Sequence, residues 1–472
     1  MKKNIDTALH RYAGIRQPYA LIMSLLFVTL TTVSCDDFLE VAPPNSQLFS
    51  GNVFDEKTTA NAAMADIYSK MRDGGMLTGY SSGISHLMAI YTDEMQYYGT
   101  AEDDAQLFYN NSLLPSGYGI TSWWNDSYNQ VFAANALILG VENAASLSSS
   151  DKSQLRGEAL FVRAIVHFYL TNLYGHVPYI TTTEYIQNSH ATKLTPGEVY
   201  ALCMDDLQEA ITLLPSDYVT AERTRPNKFA AQALLARVAL YAGNNALAIN
   251  AASAVLENTA LYPGPGNVET MFLKESLSTI WQFSPGFDGS NSIEATTFIF
   301  EFGPPYISAL SSDLVNAFPE GDLRRQYWIN EVSDGETTWY HPYKYKVIYA
   351  MPASEYSVIL RLGELYLIRA EARARTGDLE GAKEDVNRIR NTAGSPNTTA
   401  ATQEEILLEI LEQRRLELFS EFGHRFFDLK RFGKLNEVLS SKPGWDNDDA
   451  LLPLPENELL LNPSLAPQNP GY

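Results

Sequence analysis

The strongest constraint on the fold of this chain is a set of paired helices whose facing sides carry small and apolar residues. Residues 228–258 read KFAAQALLARVALYAGNNALAINAASAVLEN, with alanine and leucine on the inner face of one helix and Ala248, Ala252 and Val255 on the next. Small residues at a crossing let two helices approach closely. Residues 361–394 repeat the arrangement over 34 residues, the period of tetratricopeptide-like hairpins. The sequence therefore predicts a mostly α-helical scaffold of stacked hairpins.

Helical periodicity continues through much of the remaining chain. Residues 154–173 and 196–214 predict a third, degenerate hairpin, and residues 404–421 predict an amphipathic helix with many paired charges. Further helices are expected at the positions that follow: 61–71, 84–95 and 123–142.

Two stretches break this helical pattern. From Glu94 to Thr121 the chain is polar and rich in tyrosine and phenylalanine, and it is too long for a routine connection. Residues 261–356 alternate glycine- and proline-containing turns with the runs TIWQF, TTFIFEF and YKYKVIY, which favour short β-strands. Long loops on rigid scaffolds carry function disproportionately, so both stretches are candidates for a functional surface.

The N-terminus has the pattern of a secretory leader. Basic residues precede an apolar run, YALIMSLLFVTLTTVSC, that is too short to span a bilayer comfortably. Thr32-Val33-Ser34-Cys35 resembles a bacterial lipobox, in which the cysteine receives lipid and becomes the first mature residue, although Thr32 departs from the usual leucine or valine. The alternative is that residues 19–33 form an ordinary buried helix. After Cys35, two prolines in DDFLEVAPPNSQLF favour an extended arm.

Charge and cysteine content exclude other classes. A net charge of −22 would repel nucleic acid and anionic membrane surfaces, so no nucleic-acid partner is expected. The chain has two cysteines, and if Cys35 carries lipid, no intrachain disulfide can form. Cys203 lies at helical spacing from Val199, Ala210 and Leu214. This spacing predicts that Cys203 is a buried apolar residue rather than a reactive thiol.

Several enzymatic motifs are absent from the sequence. It contains no HExxH, CxxC pair or phosphate-binding glycine loop, and its seven histidines are scattered. Asp446–Asp449 (DNDD) superficially resembles a calcium loop but lacks the glycine and the distal glutamate that such loops need, so a solvated turn is favoured. We therefore predict no catalytic residue, no cofactor and no metal ion, although a glycosidase carboxylate pair is compatible with so many acidic residues.

A run of charged residues extends from the C-terminal part of the predicted helix at 404–421 to residue 431. Its members recur at spacings of three and four, which suits either a charged docking face or ion pairs that support the helix and hold the tail. The ion-pair interpretation is favoured over the docking face. The residues are Arg414, Arg415, Glu417, Glu421, Arg425, Asp428, Lys430 and Arg431.

Several segments together resemble the SusD/RagB family of outer-membrane lipoproteins of Bacteroidetes. SCDDFLEVAPPN resembles the family's mature start, and LRGEALFVRAIVHFYLTNLYGHVPYIT resembles a helix ending in a Tyr-Gly-x-Val-Pro turn. EQRRLELFSEFGHRFFDLKRFG and the tail LLPLPENELLLNPSLAPQNPGY resemble the family's C-terminal motifs. These matches run from residue 34 to residue 472.

The resemblance implies a function that composition does not show. It implies an α-helical fold with four tetratricopeptide-like units, lipid anchoring at the outer membrane through Cys35, and a lid-like seat on a SusC-type TonB-dependent transporter. Members bind glycans or, in some branches, peptides. Three hypotheses follow: a glycan-binding protein, a peptide-binding protein, or a structural lid with little affinity of its own.

The sequence divides into three regions on this basis. Residues 1–34 are expected to be a lipoprotein signal peptide, 35–260 an N-terminal helical region with the ligand loop, and 261–472 a C-terminal region. The last contains the loop-rich insert 261–356 and the hairpin 361–394.

Ligand contact is expected on loop aromatics, because flat rings stack on the C–H faces of sugars while carboxylates and amides bind hydroxyls. The predicted ligand-binding residues are Asp93, Glu94, Tyr97, Tyr98, Tyr109, Trp123, Phe287, Trp339 and Tyr340. A wider set from the same loops adds Phe108, Tyr118, Asn291, Tyr306, Trp328 and Tyr343. Rings on helix faces are expected to fill the core: Tyr128, Phe161, Phe168, Tyr169, Tyr241 and Tyr366.

Overall fold

The computed structural model describes residues 53–100 and 103–472, and helices dominate this part of the chain. In chain order they are α1 Lys57–Asp73, α2 Ile84–Tyr91, α3 Asp104–Tyr109, α4 Tyr118–Asn143, α5 Ser149–Tyr174, α6 Tyr185–Asn188, α7 Pro196–Leu213, α8 Lys228–Tyr241, α9 Asn245–Leu256, α10 Ile293–Phe298, α11 Ser312–Ala317, α12 Leu323–Trp328, α13 Leu362–Arg375, α14 Leu379–Thr392, α15 Gln403–Leu418, α16 His424–Arg431, α17 Leu435–Leu439 and α18 Glu456–Leu461. The predicted mostly α-helical class is confirmed.

Side chains just before the helices explain where many of them begin. The Thr195 side chain and Glu198 form a capping box at the start of α7, and Pro196 occupies its first position. A second capping box, Thr402 with Glu405, starts α15. Such caps satisfy amide groups that have no partner inside the helix, so the sequence sets these boundaries locally.

The paired helices pack as the small residues predict. Helix α8 lies against α9, and α13 lies against α14, which confirms the hairpins at 228–258 and 361–394. Helices α5 and α7 form the third pair. The predicted core rings all belong to the main hydrophobic core or pack against it, and Cys203 is fully buried.

In the described part of the chain, six short strands form three pairs, two of which join segments that are distant in the chain. They are β1 Met95–Tyr97, β2 Thr279–Phe283, β3 Ser308–Leu310, β4 Ile329–Ser333, β5 Thr338–Pro342 and β6 Ser357–Arg361. They pair antiparallel as β1 with β3, β2 with β6, and β4 with β5.

Two of the three predicted β runs are wrong. TIWQF does form β2, but the beginning of TTFIFEF lies in α10. The Ser292 side chain accepts a hydrogen bond from the amide of Ala295 and starts that helix, which overrides the β preference of the residues. YKYKVIY forms no extended strand within the described chain, because Lys344 and Tyr345 instead bury their polar ends against other segments.

Charged residues near the end of the predicted helix at 404–421 form buried ion pairs. Glu417 accepts hydrogen bonds from Arg324 and Arg361, and Glu421 from Arg361 and Lys344. All five side chains are at most 8% exposed. The alternative of a charged docking face is therefore wrong for these residues. The favoured ion pairs are present: Glu417 and Glu421 pair with other segments, whereas Arg431 pairs with Asp428, three residues away in α16.

Residues 1–52 lie outside the described residues. The predicted signal peptide 1–34, the lipid anchor Cys35 and the extended arm after it fall there, so these expectations stay predictions. Within residues 53–100 and 103–472, no helix is both long enough and apolar enough to cross a membrane.

Residues 53–472 form one compact unit by their internal contacts. The division of the sequence at residues 260 and 261 stays a prediction.

Candidate ligand-binding site

The two predicted functional loops meet at a short ladder. Strand β1, from the first loop, pairs antiparallel with β3, from the second, with Met95 opposite Leu310 and Tyr97 opposite Ser308. The amide of Tyr98 extends the ladder by donating to the carbonyl oxygen of Ile307 at 2.7 Å. The backbone therefore holds both aromatic-rich loops side by side.

A cavity of about 660 Å³ opens beside this ladder. Its walls come from the turn before α2, from β1 and the start of α3, from the first residues of α4, and from residues 304–307. The volume lies in the range of small-molecule sites. The lining side chains that concern ligand chemistry are Tyr97, Tyr98, Asp103, Asp104, Tyr118 and Tyr306.

Three tyrosine rings of this cavity have accessible faces. Tyr306 is 91% exposed, Tyr118 is 74% exposed and Tyr98 is 38% exposed. Large exposed apolar groups around a cavity mark a binding surface, and aromatic rings are suited to stacking. These rings are the stacking groups of the candidate site.

Tyr97 lines the cavity and Tyr109 packs beside it, and both are held by protein partners. The Tyr97 hydroxyl donates to Asp103 Oδ2 at 2.7 Å, and its ring centroid lies 6.4 Å from that of Tyr109. The Lys442 ammonium lies 4.1 Å from the centre of the Tyr109 ring and donates to the carbonyl oxygen of Ile90 at 2.5 Å. Both tyrosines were predicted to contact ligand, and both are tied to protein partners in the structure.

Two carboxylates complete the cavity wall. Asp103 Oδ2 accepts from Tyr97 and from the amide of Thr100, and the Tyr97 hydrogen bond lowers the pKa of Asp103. Asp104 Oδ2 accepts from the amide of Gly119 at 2.6 Å. Neither aspartate was predicted from the sequence. Adjacent acidic residues at the start of a short helix in an aromatic-rich loop were the signal that could have found them.

His86 supports the cavity floor as a neutral ring. Its Nδ1 lies 2.7 Å from the carbonyl oxygen of Ser81, and its Nε2 lies 3.1 Å from the hydroxyl of Ser308. Burial lowers the pKa of His86 to about 4, so the ring is uncharged at neutral pH. This histidine fastens the turn before α2 to strand β3. Sequence analysis did not single it out.

Asp93 and Glu94 do not face the cavity, and this corrects their prediction as ligand contacts. Arg425 binds Asp93 through two hydrogen bonds, of 2.8 and 2.7 Å. Glu94 is 4% exposed, and burial, followed by the charge of Asp93, raises its pKa to about 8. Glu94 is therefore an uncharged acid in the interior at neutral pH.

Trp123 is also a structural residue rather than a ligand contact. It is 1% exposed, and its indole nitrogen donates to the carbonyl oxygen of Ser82 at 2.8 Å, under the cavity. From the wider predicted set, the following residues are likewise buried: Phe108, Asn291 and Trp328.

Trp339, Tyr340 and Phe287 lie outside the cavity lining. The half-buried Trp339 packs so tightly on Gly303 that no side chain would fit there, and Tyr340 lies under Arg325, 5.0 Å from its guanidinium carbon. Phe287 is 66% exposed, on a separate turn beside the segment that contains Tyr349. The predicted residues therefore divide into a cavity group, a supporting group and a group outside the lining, in which Trp339 adjoins the cavity through a side-chain hydrogen bond with Tyr98.

The DNDD segment forms a short turn of 3₁₀ helix, in which Asp449 is buried rather than solvated as predicted. Asp446 Oδ1 accepts from the amide of Asp448, and Asp449 Oδ2 accepts from the amide of Asp446. These carboxylates cap the 3₁₀ helix Asn447–Ala450.

Comparison with known proteins assigns the family. Residues 37–240 match the family model described as "Starch-binding associating with outer membrane", and residues 324–472 match the SusD family model. The SusD-like protein P2 of Formosa agariphila is 28% identical, with 95% of this chain and 99% of that protein covered.

Solved structures share the fold. A SusD superfamily protein from Bacteroides vulgatus is similar with a TM-score of 0.75 at 20% identity, covering 89% of this chain and all of that one. A structure described as a laminarin-binding SusD-like protein is similar with a TM-score of 0.72 at 25% identity, covering 88% of this chain and 99% of that one. With two SusD models matching well over half of its length, the chain belongs to the SusD/RagB family.

Proposed function

We propose that this protein is a lipid-anchored cell-surface lipoprotein that captures an oligosaccharide in the cavity beside the β1–β3 ladder and delivers it to a SusC-like TonB-dependent transporter. The observation that carries the proposal is the combination of exposed tyrosine rings and fixed carboxylates around one cavity. Rings supply stacking surfaces for the C–H faces of sugars, and carboxylates accept hydrogen bonds from hydroxyl groups.

The family supports the glycan interpretation. Its model is described as starch-binding, and one structural relative is described as laminarin-binding. A ligand that leaves the site for a transporter must be held reversibly, and stacking on accessible rings together with a few hydrogen bonds suits reversible capture.

The charged state of Asp103 favours binding without hydrolysis. A glycosidase needs one carboxylic acid with a raised pKa to protonate the leaving oxygen. The pKa of Asp103 is lowered instead, by the Tyr97 hydroxyl, which makes it a poor general acid. We therefore expect glycans to be recovered intact after incubation with the protein, as analysed by chromatography.

Calorimetric titration of the purified mature protein against a panel of oligosaccharides and peptides tests the proposed function. At least one oligosaccharide class is expected to bind at one site per chain. Saturable binding of peptides in place of glycans would support the peptide hypothesis, and binding of neither class would support a structural lid.

The mature protein is expected to begin at a lipid-modified Cys35. The basic leader, apolar run and small residues before Cys35 motivate this prediction. Mass spectrometry of the membrane fraction should find acyl chains on Cys35, and Cys35→Ala should abolish them. Several chains are needed because one alone anchors weakly. An unmodified Cys35 would contradict this prediction. It would also be contradicted if the Cys35→Ala protein, with its leader removed normally, still fractionated as an integral membrane protein.

A further inference from the structure

We infer that the cavity selects neutral, hydroxyl-rich glycans and rejects glycans that carry carboxylate or sulfate groups. This inference rests on the proposed function, because it assigns a chemical class to the ligand of that same site. It follows from the way Asp103, Asp104 and the first turn of α4 are arranged around the cavity.

Asp103 presents a negative charge to any ligand. Its side chain is exposed, and the hydrogen bonds from Tyr97 and Thr100 hold it in the charged form. Both bonds end on Oδ2, which leaves Oδ1 able to accept a hydrogen bond from a ligand. A sugar hydroxyl can donate that bond, whereas a carboxylate or sulfate group of a ligand cannot.

Asp104 occupies a feature of the cavity that would otherwise attract an anion. Helix α4 begins at the cavity wall, with Tyr118 and Gly119 among the lining residues, and amide groups at a helix N-terminus ordinarily favour negative ligands. Here the Asp104 carboxylate already accepts from the Gly119 amide at 2.6 Å. The positive end of the helix is therefore occupied by the protein's own carboxylate.

Positive side chains near the site do not offset these charges. Among the described lining residues there is no lysine or arginine, and burial keeps His86 neutral. Lys442 lies behind the Tyr109 ring and donates to a backbone carbonyl group, and burial lowers its pKa to about 8. The net charge of the whole chain, −22, adds to the repulsion of anionic polymers.

The inference is tested with pairs of polysaccharides that share a backbone and differ in charge. Suitable pairs are laminarin and sulfated laminarin, amylose and carboxymethyl amylose, and xylan and glucuronoxylan. Each is titrated against the mature protein in detergent at low and at moderate ionic strength. For each pair that binds, the neutral member is expected to bind at least about tenfold more tightly at low salt, with the difference shrinking as salt screens the charges.

Isosteric variants identify which charges cause the preference for neutral polysaccharides. Asp103→Asn and Asp104→Asn keep oxygen acceptors for Tyr97 and Gly119, and each is expected to narrow the neutral-to-anionic affinity ratio about threefold. Asp217→Asn, at an exposed position in the connection between α7 and α8, removes the same charge outside the cavity and is expected to leave the ratio unchanged.

The outcomes separate this inference from the proposed function. If an anionic member binds as tightly as its neutral partner, or if both cavity variants leave the ratio unchanged, the inference is wrong while glycan capture stands. If no polysaccharide binds, the proposed function fails and the inference fails with it.

Discussion

Replacing Arg361 with methionine is expected to lower the free energy of unfolding by about 3–5 kcal/mol. The Arg361 guanidinium donates to Glu417 Oε1 at 2.6 Å and to Glu421 Oε2 at 2.9 Å, and its side chain is 3% exposed. Methionine fills similar space but leaves two buried carboxylates without their main partner. The cost of stranding buried charges far exceeds the small value of an exposed ion pair.

The neighbouring cations cannot replace Arg361. Burial alone would raise the pKa of Glu421, but Arg361 and then Lys344 outweigh burial and bring it to about 2. Burial lowers the pKa of Lys344 to about 8, so this lysine already holds its charge less firmly than an exposed one. Arg324 is committed to Asp322 as well as to Glu417. Loss of Arg361 therefore leaves excess negative charge in the core.

Urea denaturation of the mature protein in detergent measures this effect. Lys70→Met serves as the control, because it removes a cation from an ion pair with Asp66 whose side chains are 56% and 58% exposed. The control is expected to change stability by less than about 1 kcal/mol. An Arg361→Met protein as stable as the control would show that the core tolerates these carboxylates.

The hairpin scaffold could be predicted because its signals are local. In residues 361–394 the spacing of small residues predicts two helices, and α13 and α14 match them closely. The turn between them contains Gly377 at φ 89°, a left-handed conformation that favours glycine. Helix caps such as Thr195 and Asp378 also act on amide groups within a few residues.

The sequence could predict that these charged residues form ion pairs, but not which residues pair with Glu417. Glu417 lies 93 residues from Arg324 and 56 residues from Arg361 in the chain. Helical spacing suggests ion-pair partners three or four residues away, whereas the partners of Glu417 are brought to it by tertiary packing. The same limitation explains why Asp93 and Glu94 were wrongly predicted to contact ligand. Their local sequence has the composition of a polar binding loop. Their burial depends on Arg425 and Ser420, more than 300 residues away.

The sequence could predict the two loops that form the candidate site, but not which aromatic rings of those loops line the cavity. Aromatic content identified both loops, yet the β1–β3 ladder that joins them is set by pairing between residues more than 200 positions apart. Tyr118 and Trp123 are near neighbours on α4, and one is exposed while the other is buried. Which ring faces the ligand depends on the orientation of α4 against the rest of the fold.

The double variant Tyr118→Ala, Tyr306→Ala is expected to weaken glycan binding about a hundredfold without lowering the melting temperature. Each ring lines the cavity and is largely exposed, at 74% and 91%. The loss of one stacking ring costs on the order of 1 to 2 kcal/mol, or about tenfold in affinity, and the hundredfold expectation takes the two contributions as additive. Little core packing is lost, because neither ring is buried.

Calorimetric titration of the glycan found by the panel, paired with thermal melts, measures both effects. Tyr185→Ala removes a ring that is 81% exposed outside the cavity, and it is expected to leave affinity and melting temperature unchanged. Tyr366→Ala, at a core ring 9% exposed, is expected to lower the melting temperature and leave affinity unchanged. If the double variant binds with wild-type affinity, these rings do not hold the ligand. The surface formed by Phe287 and the segment of Tyr349, which are both exposed rings, would then be the next to test.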